Sequence, residues 1–266
     1  MQSDQKEMHV LSLGAGVQSS ALALMAAKGE LEYMPDCAVF ADTQSEPESV
    51  YKWLYWLEKQ LPFPIHKVSQ GNLYDDSLKL FKSKNGNDYM IGSIPAYIVN
   101  EKGQKGIMMR QCTSNYKIKP IYSFIKKKYK KTKINMWLGI SLDEVQRMKP
   151  SRDKWIKNVY PLIDKGMTRL SCLNWMEYNK YPTPPRSSCI FCPYHNDNEW
   201  KKLKEEEPDQ FQKAVEYEKK YQEQTRSILE GVPYLHNSLK PLDEIDFNSN
   251  RQVDLFNNEC EGMCGI

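Results

Sequence analysis

Residues 11–20 read Leu-Ser-Leu-Gly-Ala-Gly-Val-Gln-Ser-Ser, an apolar run followed by a glycine turn and a polar start to a helical pattern. The apolar residues before Gly14 predict a buried strand, and residues 18–27 predict a helix because they are rich in helix formers. Glycines let backbone N–H groups approach a phosphate, and a helix amino end favours an anion. The stretch therefore predicts a phosphate-binding turn with Ser19 and Ser20 as extra donors, although an ordinary tight turn fits it too.

Further strand and helix patterns follow in alternation. Strands are predicted at 37–41, 65–68 and 134–140, and Ser45 with Glu48 is a capping signature for a helix over 47–60. Alternation of this kind indicates an α/β fold, a Rossmann-like parallel sheet of about five strands flanked by helices. Ligands of such sheets bind beyond the carboxyl ends of the strands. The fold class therefore places three segments near one another: the Gly14 turn, Asp42-Thr43 and Ser141-Leu142-Asp143-Glu144.

The second half of the chain has a different pattern. Residues 168–179 predict a helix capped by Thr168 or Ser171, and residues 199–229 are charged and mostly helical, divided by Pro208. We therefore predict a nucleotide-binding core over 1–165 and a helical, cysteine-bearing segment over 166–266.

The composition limits the class of protein. Of 266 residues, 40% are hydrophobic, which is enough for a packed core and excludes a disordered chain. The numbers of basic and acidic residues are nearly equal, and the resulting net charge of +3 does not by itself indicate a nucleic-acid partner. No apolar run reaches the roughly 20 residues of a membrane span, and the polar start has no signal-peptide pattern. We expect a soluble, cytoplasmic protein that does not enter a membrane.

The glycine turn resembles the pyrophosphate-binding loop (PP-loop) of the ATP pyrophosphatase and phosphoadenosine phosphosulfate (PAPS) reductase superfamily, the adenine nucleotide alpha hydrolase-like proteins. That loop commonly reads Ser-Gly-Gly-x-Asp-Ser. Here Gly14 stands at the Ser, Ala15 at the first Gly and Gln18 at the Asp, while Gly16, Ser19 and Ser20 fit. The missing acidic residue bears on how Mg²⁺ would be handled.

Four later segments resemble the PAPS reductase family in the same order. They are Phe40-Ala41-Asp42-Thr43, Arg110-Gln111-Cys112-Thr113 with Lys117-Ile118-Lys119-Pro120, Gly139-Ile140-Ser141-Leu142-Asp143-Glu144 with Arg147 and Arg152, and Tyr160-Pro161-Leu162 through Ser188-Cys189-Ile190-Phe191-Cys192. Together the matches span about residues 8–195. The resemblance implies two sets of contacts. Nucleotide would be bound by Gly14, Gly16, Ser19, Ser20, Asp42, Thr43, Lys117 and Arg152, and Arg110 and Arg147 would act on phosphate or sulfate oxygens, which suit the planar donor fork of arginine.

Seven cysteines, an odd number without a signal peptide, speak against a disulfide framework. The Cys189-x-x-Cys192 pair and the tail pair Cys260 and Cys264 are typical of zinc or iron–sulfur sites. The resemblance implies a 4Fe–4S cluster on Cys112, Cys189 and Cys192, with either a fourth ligand from elsewhere or an open iron.

Three arrangements of the tail stay open. One tail cysteine completes that set, or Cys260 and Cys264 act as a mobile redox or sulfur-carrying pair, or both join Cys189 and Cys192 on structural zinc. Cys37 and Cys172 are expected to be packing residues. His195 is expected to have a surface or capping role.

Residues 126–133 hold six lysines at a predicted helix end. A solvated face is the favoured interpretation, because lysines suit a helix carboxyl end. A run of this density also fits a phosphate backbone, which keeps a nucleic-acid partner open.

Three functions follow from the resemblance. The first is an enzyme that cleaves ATP between its α and β phosphates with Mg²⁺, adenylylates an acceptor such as tRNA or DNA, and transfers sulfur from a thiol or sulfur-donor protein through the iron–sulfur site. The second is an adenylylsulfate or PAPS reductase that releases sulfite after attack by a tail cysteine. The third is a non-catalytic nucleotide-binding subunit with structural zinc. A homo-oligomer is compatible with each.

Overall fold

The computed structural model describes residues 7–86, 88–90, 93–130 and 132–248. Its strands are β1 Glu7–Ser12, β2 Cys37–Ala41, β3 Ile65–Val68, β4 Leu80–Lys82, β5 Asp88–Met90, β6 Tyr97–Asn100, β7 Lys105–Ile107, β8 Lys133–Leu138, β9 Ile156–Val159 and β10 Gly231–Tyr234. Its α-helices are α1 Val17–Ala27, α2 Glu48–Glu58, α3 Leu73–Ser77, α4 Lys119–Lys128, α5 Pro161–Asp164, α6 Arg169–Tyr178, α7 Asp197–Glu206 and α8 Pro208–Thr225. Other helical segments are the wider π-helix Thr113–Ile118 and the tighter 3₁₀-helices Leu142–Arg147 and Leu242–Glu244.

The main sheet has five strands in the order β3-β2-β1-β8-β9, and all four pairings are parallel. The chain moves outward from β1 through β2 to β3, and then returns to β8 on the other side of β1. The strand order therefore reverses between β1 and β8, which is the position where open α/β sheets bind ligands. The predicted fold class is confirmed.

Each face of this sheet is covered by helices. On one face, Leu11 and Trp137 pack with α1, α2 and α6. On the other face, Val10 and Met136 pack with Ile121 of α4. Neighbouring residues of β1 and β8 thus point to opposite cores, and burial on both faces explains why these strands are nearly continuous apolar runs.

A third apolar cluster lies around α8 and the Cys-x-x-Cys segment. Its large buried side chains include Phe191, Trp200 and Tyr217. The segment between β3 and β8 forms the small antiparallel sheet β4-β5, and its strands β6 and β7 form a second one with β10, which follows α8; the sequence patterns predicted neither sheet.

Most of the predicted elements are present. The strands at 37–41 and 65–68 are confirmed, and the division at Pro208 separates α7 from α8. Thr168 caps α6, because its Oγ1 accepts from the Ser171 N–H at 3.1 Å. The proposed Ser45 cap is wrong: α2 begins after Pro47 without a side-chain cap, and Ser45 Oγ donates to the Thr43 carbonyl at 3.3 Å.

Two further predictions concern the chain as a whole. Cys172 and Met176 of α6 lie in the same apolar cluster as α1, so the first helix after residue 166 shares the core. The division into 1–165 and 166–266 stays a prediction. Within the described residues, no helix combines the length and apolar character that a membrane crossing requires.

Candidate functional site

The turn after β1 has the geometry of an anion-binding site. Ala15 has a left-handed backbone with φ 62°, a conformation that favours glycine, which explains why the resembling loop carries glycine there. Gly16 is the N-cap residue of α1, and no side chain caps this helix end. Gly14 N–H donates to Ser19 Oγ at 3.2 Å, which closes the turn. The first N–H groups of α1 are therefore without a side-chain acceptor at the position where the strand order reverses.

Gln18 connects this turn to two other elements. It is buried, and its Nε2 donates to Ser141 Oγ at 3.4 Å and to Glu144 Oε2 at 3.2 Å. Its Oε1 accepts from Arg169 Nη1 at 3.0 Å. The predicted approach of the 141–144 segment to the turn is therefore observed, whereas Arg169 is a site residue that the sequence patterns did not indicate.

Arg169 lies at the first position of α6. Its backbone N–H donates to Asp143 Oδ1 at 3.1 Å, so Asp143 holds the start of α6 against the 142–147 turn. Glu144 also pairs with Arg147, and both side chains are mostly buried. Two arginines, Arg147 and Arg169, thus lie near Gln18 together with the carboxylates of Asp143 and Glu144. The guanidinium groups supply the planar donor fork that suits phosphate oxygens.

Asp42 follows β2 at the same edge of the sheet. Its Oδ1 accepts from the Gln44 N–H at 2.7 Å and from the Tyr51 hydroxyl at 2.8 Å. Burial and the hydrogen bond to Asp42 raise the pKa of Tyr51, so this hydroxyl stays protonated and continues to donate. The carboxylate is thereby held in a fixed orientation.

A buried polar cluster lies next to Asp42. Its members are Thr43, Glu46, Lys117, Ser187 and Cys189. Lys117 Nζ lies 3.5 Å from Glu46 Oε1, with side chains 8% and 0% exposed. Glu46 also accepts from the hydroxyls of Thr43 and Ser187, both at 3.4 Å. Lys117, predicted to bind nucleotide, is thus positioned as the partner of a buried carboxylate.

Two predicted cations remain, Arg110 and Arg152. Arg110 lies over the ring of Tyr194, with 5.5 Å from Cζ to the ring centroid, beside the Cys-x-x-Cys segment. Arg152 is exposed in the loop before β9. Their roles in binding stay predictions.

Cys189 and Cys192 stand in one tight turn, since the Cys192 N–H donates to the Cys189 carbonyl at 2.9 Å. Cys112 packs against the same apolar cluster as this pair. Among the described residues, no three His, Cys, Asp or Glu side chains stand close enough together to hold a metal ion. Cys260 and Cys264 lie outside the described residues, so the metal ligand set stays a prediction.

Burial raises the pKa of the Cys189 thiol well above its usual value, and Glu46 raises it further. Thr43 Oγ1 lies 3.3 Å from its sulfur. The thiol is therefore protonated at neutral pH in the metal-free protein, and a thiol is a poor nucleophile.

We expect Cys189 to resist alkylation in metal-free, folded protein. Iodoacetamide at neutral pH, followed by peptide mapping, should label the partly exposed Cys192 and leave Cys189 as unmodified as the buried Cys172. Unfolding in denaturant should make all three react. Labelling of Cys189 at the rate of Cys192 in the folded state would contradict this account.

His195 does not have the predicted surface role. It is 8% exposed, and its Nε2 lies 2.6 Å from Ser188 Oγ. Burial lowers the pKa of His195 well below its usual value, and Arg186 lowers it further, so the imidazole is neutral at pH 7. Its contacts show that it positions the Cys-x-x-Cys segment.

Cys37 and Cys172, in contrast, are buried in the cores on the two faces of the sheet, as expected for packing residues. The lysines 126–128 end α4, also as predicted.

A cavity of about 430 Å³ lies at the other, amino edge of the sheet, where His9 and Trp137 line it together with Lys157 and Lys165. Trp137 Nε1 donates to His9 Nδ1 at 3.0 Å. None of the predicted site residues lines this cavity. The α1 amino end, Gln18 and Arg169 converge instead at the carboxyl edge, which is the edge where open α/β sheets bind ligands.

Comparison with known proteins finds likeness to solved structures and no sequence match. No protein-family model matches the chain, and no curated protein matches its sequence. Among solved structures, the chain is similar to the phosphoadenylyl-sulfate (PAPS) reductase from Candida auris in its phosphate complex. The identity is 12%, the match covers 66% of this chain and 74% of that one, and the TM-score is 0.42, a likeness too distant to carry an argument about function.

Proposed function

We propose that this chain is an adenine-nucleotide-dependent enzyme that binds ATP with its phosphates at the amino end of α1. The observation that carries the proposal is the α1 amino end, which has no capping side chain and follows a left-handed turn at Ala15. It lies where the strand order reverses, next to Arg169 and Arg147. Backbone N–H groups, the helix dipole and arginine guanidinium groups all favour a polyphosphate there.

The reaction that fits this arrangement is cleavage of ATP between the α and β phosphates. An acceptor oxygen forms a bond to the α phosphorus while the bond to the bridging oxygen breaks, and pyrophosphate leaves with that electron pair. A sulfur nucleophile, supplied by a thiol or a sulfur-donor protein, then displaces AMP from the acceptor. The residues around Gln18 would orient the phosphates and stabilise the negative charge on their oxygens.

Two inorganic groups belong to this proposal. Glu144, the carboxylate in contact with Gln18, would hold Mg²⁺, which supplies charge neutralisation on the phosphates when it is bound. Cys112, Cys189 and Cys192 with one tail cysteine would hold a 4Fe–4S cluster, which supplies a site that handles sulfur; the same thiolates suit zinc. The support for the second group is the adjacency of Cys189 and Cys192 and the location of Cys112 on the same apolar cluster.

Arg169→Gln should weaken ATP binding by about tenfold or more, since it removes a hydrogen bond between charged groups. Titration calorimetry measures the dissociation constant, and release of pyrophosphate from ATP should fall with it. Arg169→Lys should recover part of the affinity, because the charge remains without the planar fork. Arg226→Gln, at the exposed end of α8, is the matched control. Equal affinities for Arg169→Gln and the control would reject the proposed site.

A reductase for adenylylsulfate or PAPS is the second candidate. The observation that favours it is Gln18, because an amide replaces the carboxylate of the resembling loop and both of its ends are hydrogen bonded. Sulfite release that disappears in Cys260→Ser would favour the reductase. Pyrophosphate release from ATP that survives in Cys260→Ser would favour the first candidate. Bound zinc without iron, together with no release of sulfite or pyrophosphate, would favour a non-catalytic subunit.

A further inference from the structure

One face of the protein carries a high density of cations. The segments 118–130 and 147–157 contain ten Lys or Arg, all exposed except Arg147, and one acidic residue, Asp153. The first segment holds α4, and the second is the loop that leads from the 142–147 turn into β9. Both segments pack on the α4 face of the sheet.

The two segments meet at Tyr122. Its hydroxyl lies 3.5 Å from Ser151 Oγ, and its ring lies edge-on to Trp155 with 6.4 Å between centroids. Lys119 and Lys126 lie three residues before and four after Tyr122, so all three share one side of α4. Tyr122 and Trp155 are only partly buried.

We define the cation lane as five exposed residues around this aromatic pair. They are Lys119, Lys126, Lys149, Arg152 and Lys154. Over the part of the chain that the structure describes, none of the five lies within ion-pair distance of a carboxylate.

Several lysines elsewhere on the surface pair with a carboxylate. Lys52 pairs with Glu48, Lys79 with Asp76, and Lys219 with Asp243. A solvated surface normally mixes charges of both signs, as these helices do. The lane instead concentrates unpaired positive charge around two aromatic rings.

We propose that the cation lane binds single-stranded nucleic acid. Cations that follow a phosphate backbone, together with aromatic rings on which bases stack, are the two requirements of single-strand binding. α4 is ten residues long, so the lane extends for about 15 Å. It runs from the carboxyl edge of the sheet, where α4 begins, to the amino edge, where the lysines 126–128 end it. The inference deepens the proposed function. It rests on that function only in identifying the bound strand as the acceptor.

The test is fluorescence anisotropy with labelled DNA and RNA strands of about 12 nucleotides, without ATP. Lys126→Glu/Lys149→Glu should weaken binding by about tenfold or more and make its salt dependence shallower. The matched control is Lys201→Glu/Lys202→Glu on α7, where the same charge change falls on lysines that pair with Glu205 and Glu206. Thermal unfolding verifies that both variants fold.

A second measurement needs no charge reversal. A bound strand should quench tryptophan fluorescence in the wild type, and Trp155→Phe should retain affinity while it loses much of that quenching. Absence of binding to either strand, tighter binding to duplex, or equal loss in the two charge variants would overturn the proposal. The Kd for ATP should be unchanged in Lys126→Glu/Lys149→Glu, so failure of the lane and failure of the nucleotide site give different results.

Discussion

Lys117→Met should destabilise the protein by about 3–5 kcal/mol, because it removes a cation that pairs with the buried Glu46 carboxylate. The side chain of Glu46 is 0% exposed, and the hydroxyls of Thr43 and Ser187 that donate to it are neutral. Urea unfolding, followed by circular dichroism, measures the loss. The effect should extend to the Cys-x-x-Cys segment, because Cys189 and Ser187 pack on the same carboxylate.

Glu46, the other residue of this ion pair, provides the control. Glu46→Gln in the Lys117→Met background should recover part of the lost stability, since the buried charge is then removed. Lys52→Met, which breaks an ion pair on the exposed face of α2, should leave the free energy of unfolding unchanged. If Lys117→Met and Lys52→Met had the same stability, the buried cluster would not contribute as described.

Gly139→Ala should both destabilise the fold and damage the nucleotide site. A Cβ at this position, just after β8, would lie 2.8 Å from Ser19 N and 2.9 Å from Ser19 Cα. These are backbone atoms of α1, so the helix must shift, at a cost of about 1–3 kcal/mol. Displacement of the helix that presents the phosphate N–H groups should weaken ATP binding by about tenfold or more.

Gly106→Ala is the matched control for this substitution. Its Cβ would meet only Ile98 Cγ2, at an ordinary 3.5 Å. We expect wild-type ATP affinity for Gly106→Ala in the same calorimetric titration. Wild-type affinity for Gly139→Ala as well would mean that the α1 amino end does not hold the phosphates.

The strands of the main sheet differ in how well the sequence predicts them. β2, an apolar run of five residues, is predicted residue for residue. β3 is predicted with the same bounds as observed, although only its end residues Ile65 and Val68 are apolar. β9 has the same spacing in Ile156-Lys157-Asn158-Val159, and it was missed because it lies within a basic segment. β9 lies at the edge of the sheet, where a strand tolerates polar side chains.

The site is predictable only where its residues are close in sequence. The Gly14–Ser20 turn is a local pattern and is found at the reversal of strand order, as the fold class requires. Arg169 was missed because its contact with Gln18 spans 151 residues and exists only through tertiary packing. The Glu46–Lys117 pair and the burial of His195 were missed for the same reason, since a single polar residue in a loop carries no periodic signal.

The most direct test of the nucleotide site is a crystal structure with an ATP analogue that carries a methylene bridge between the α and β phosphates. We expect its phosphate oxygens to accept hydrogen bonds from the backbone N–H groups at the start of α1, within reach of Arg169. Phosphates bound instead at the amino-edge cavity, against Lys157 and Lys165, would contradict the assignment of the carboxyl edge.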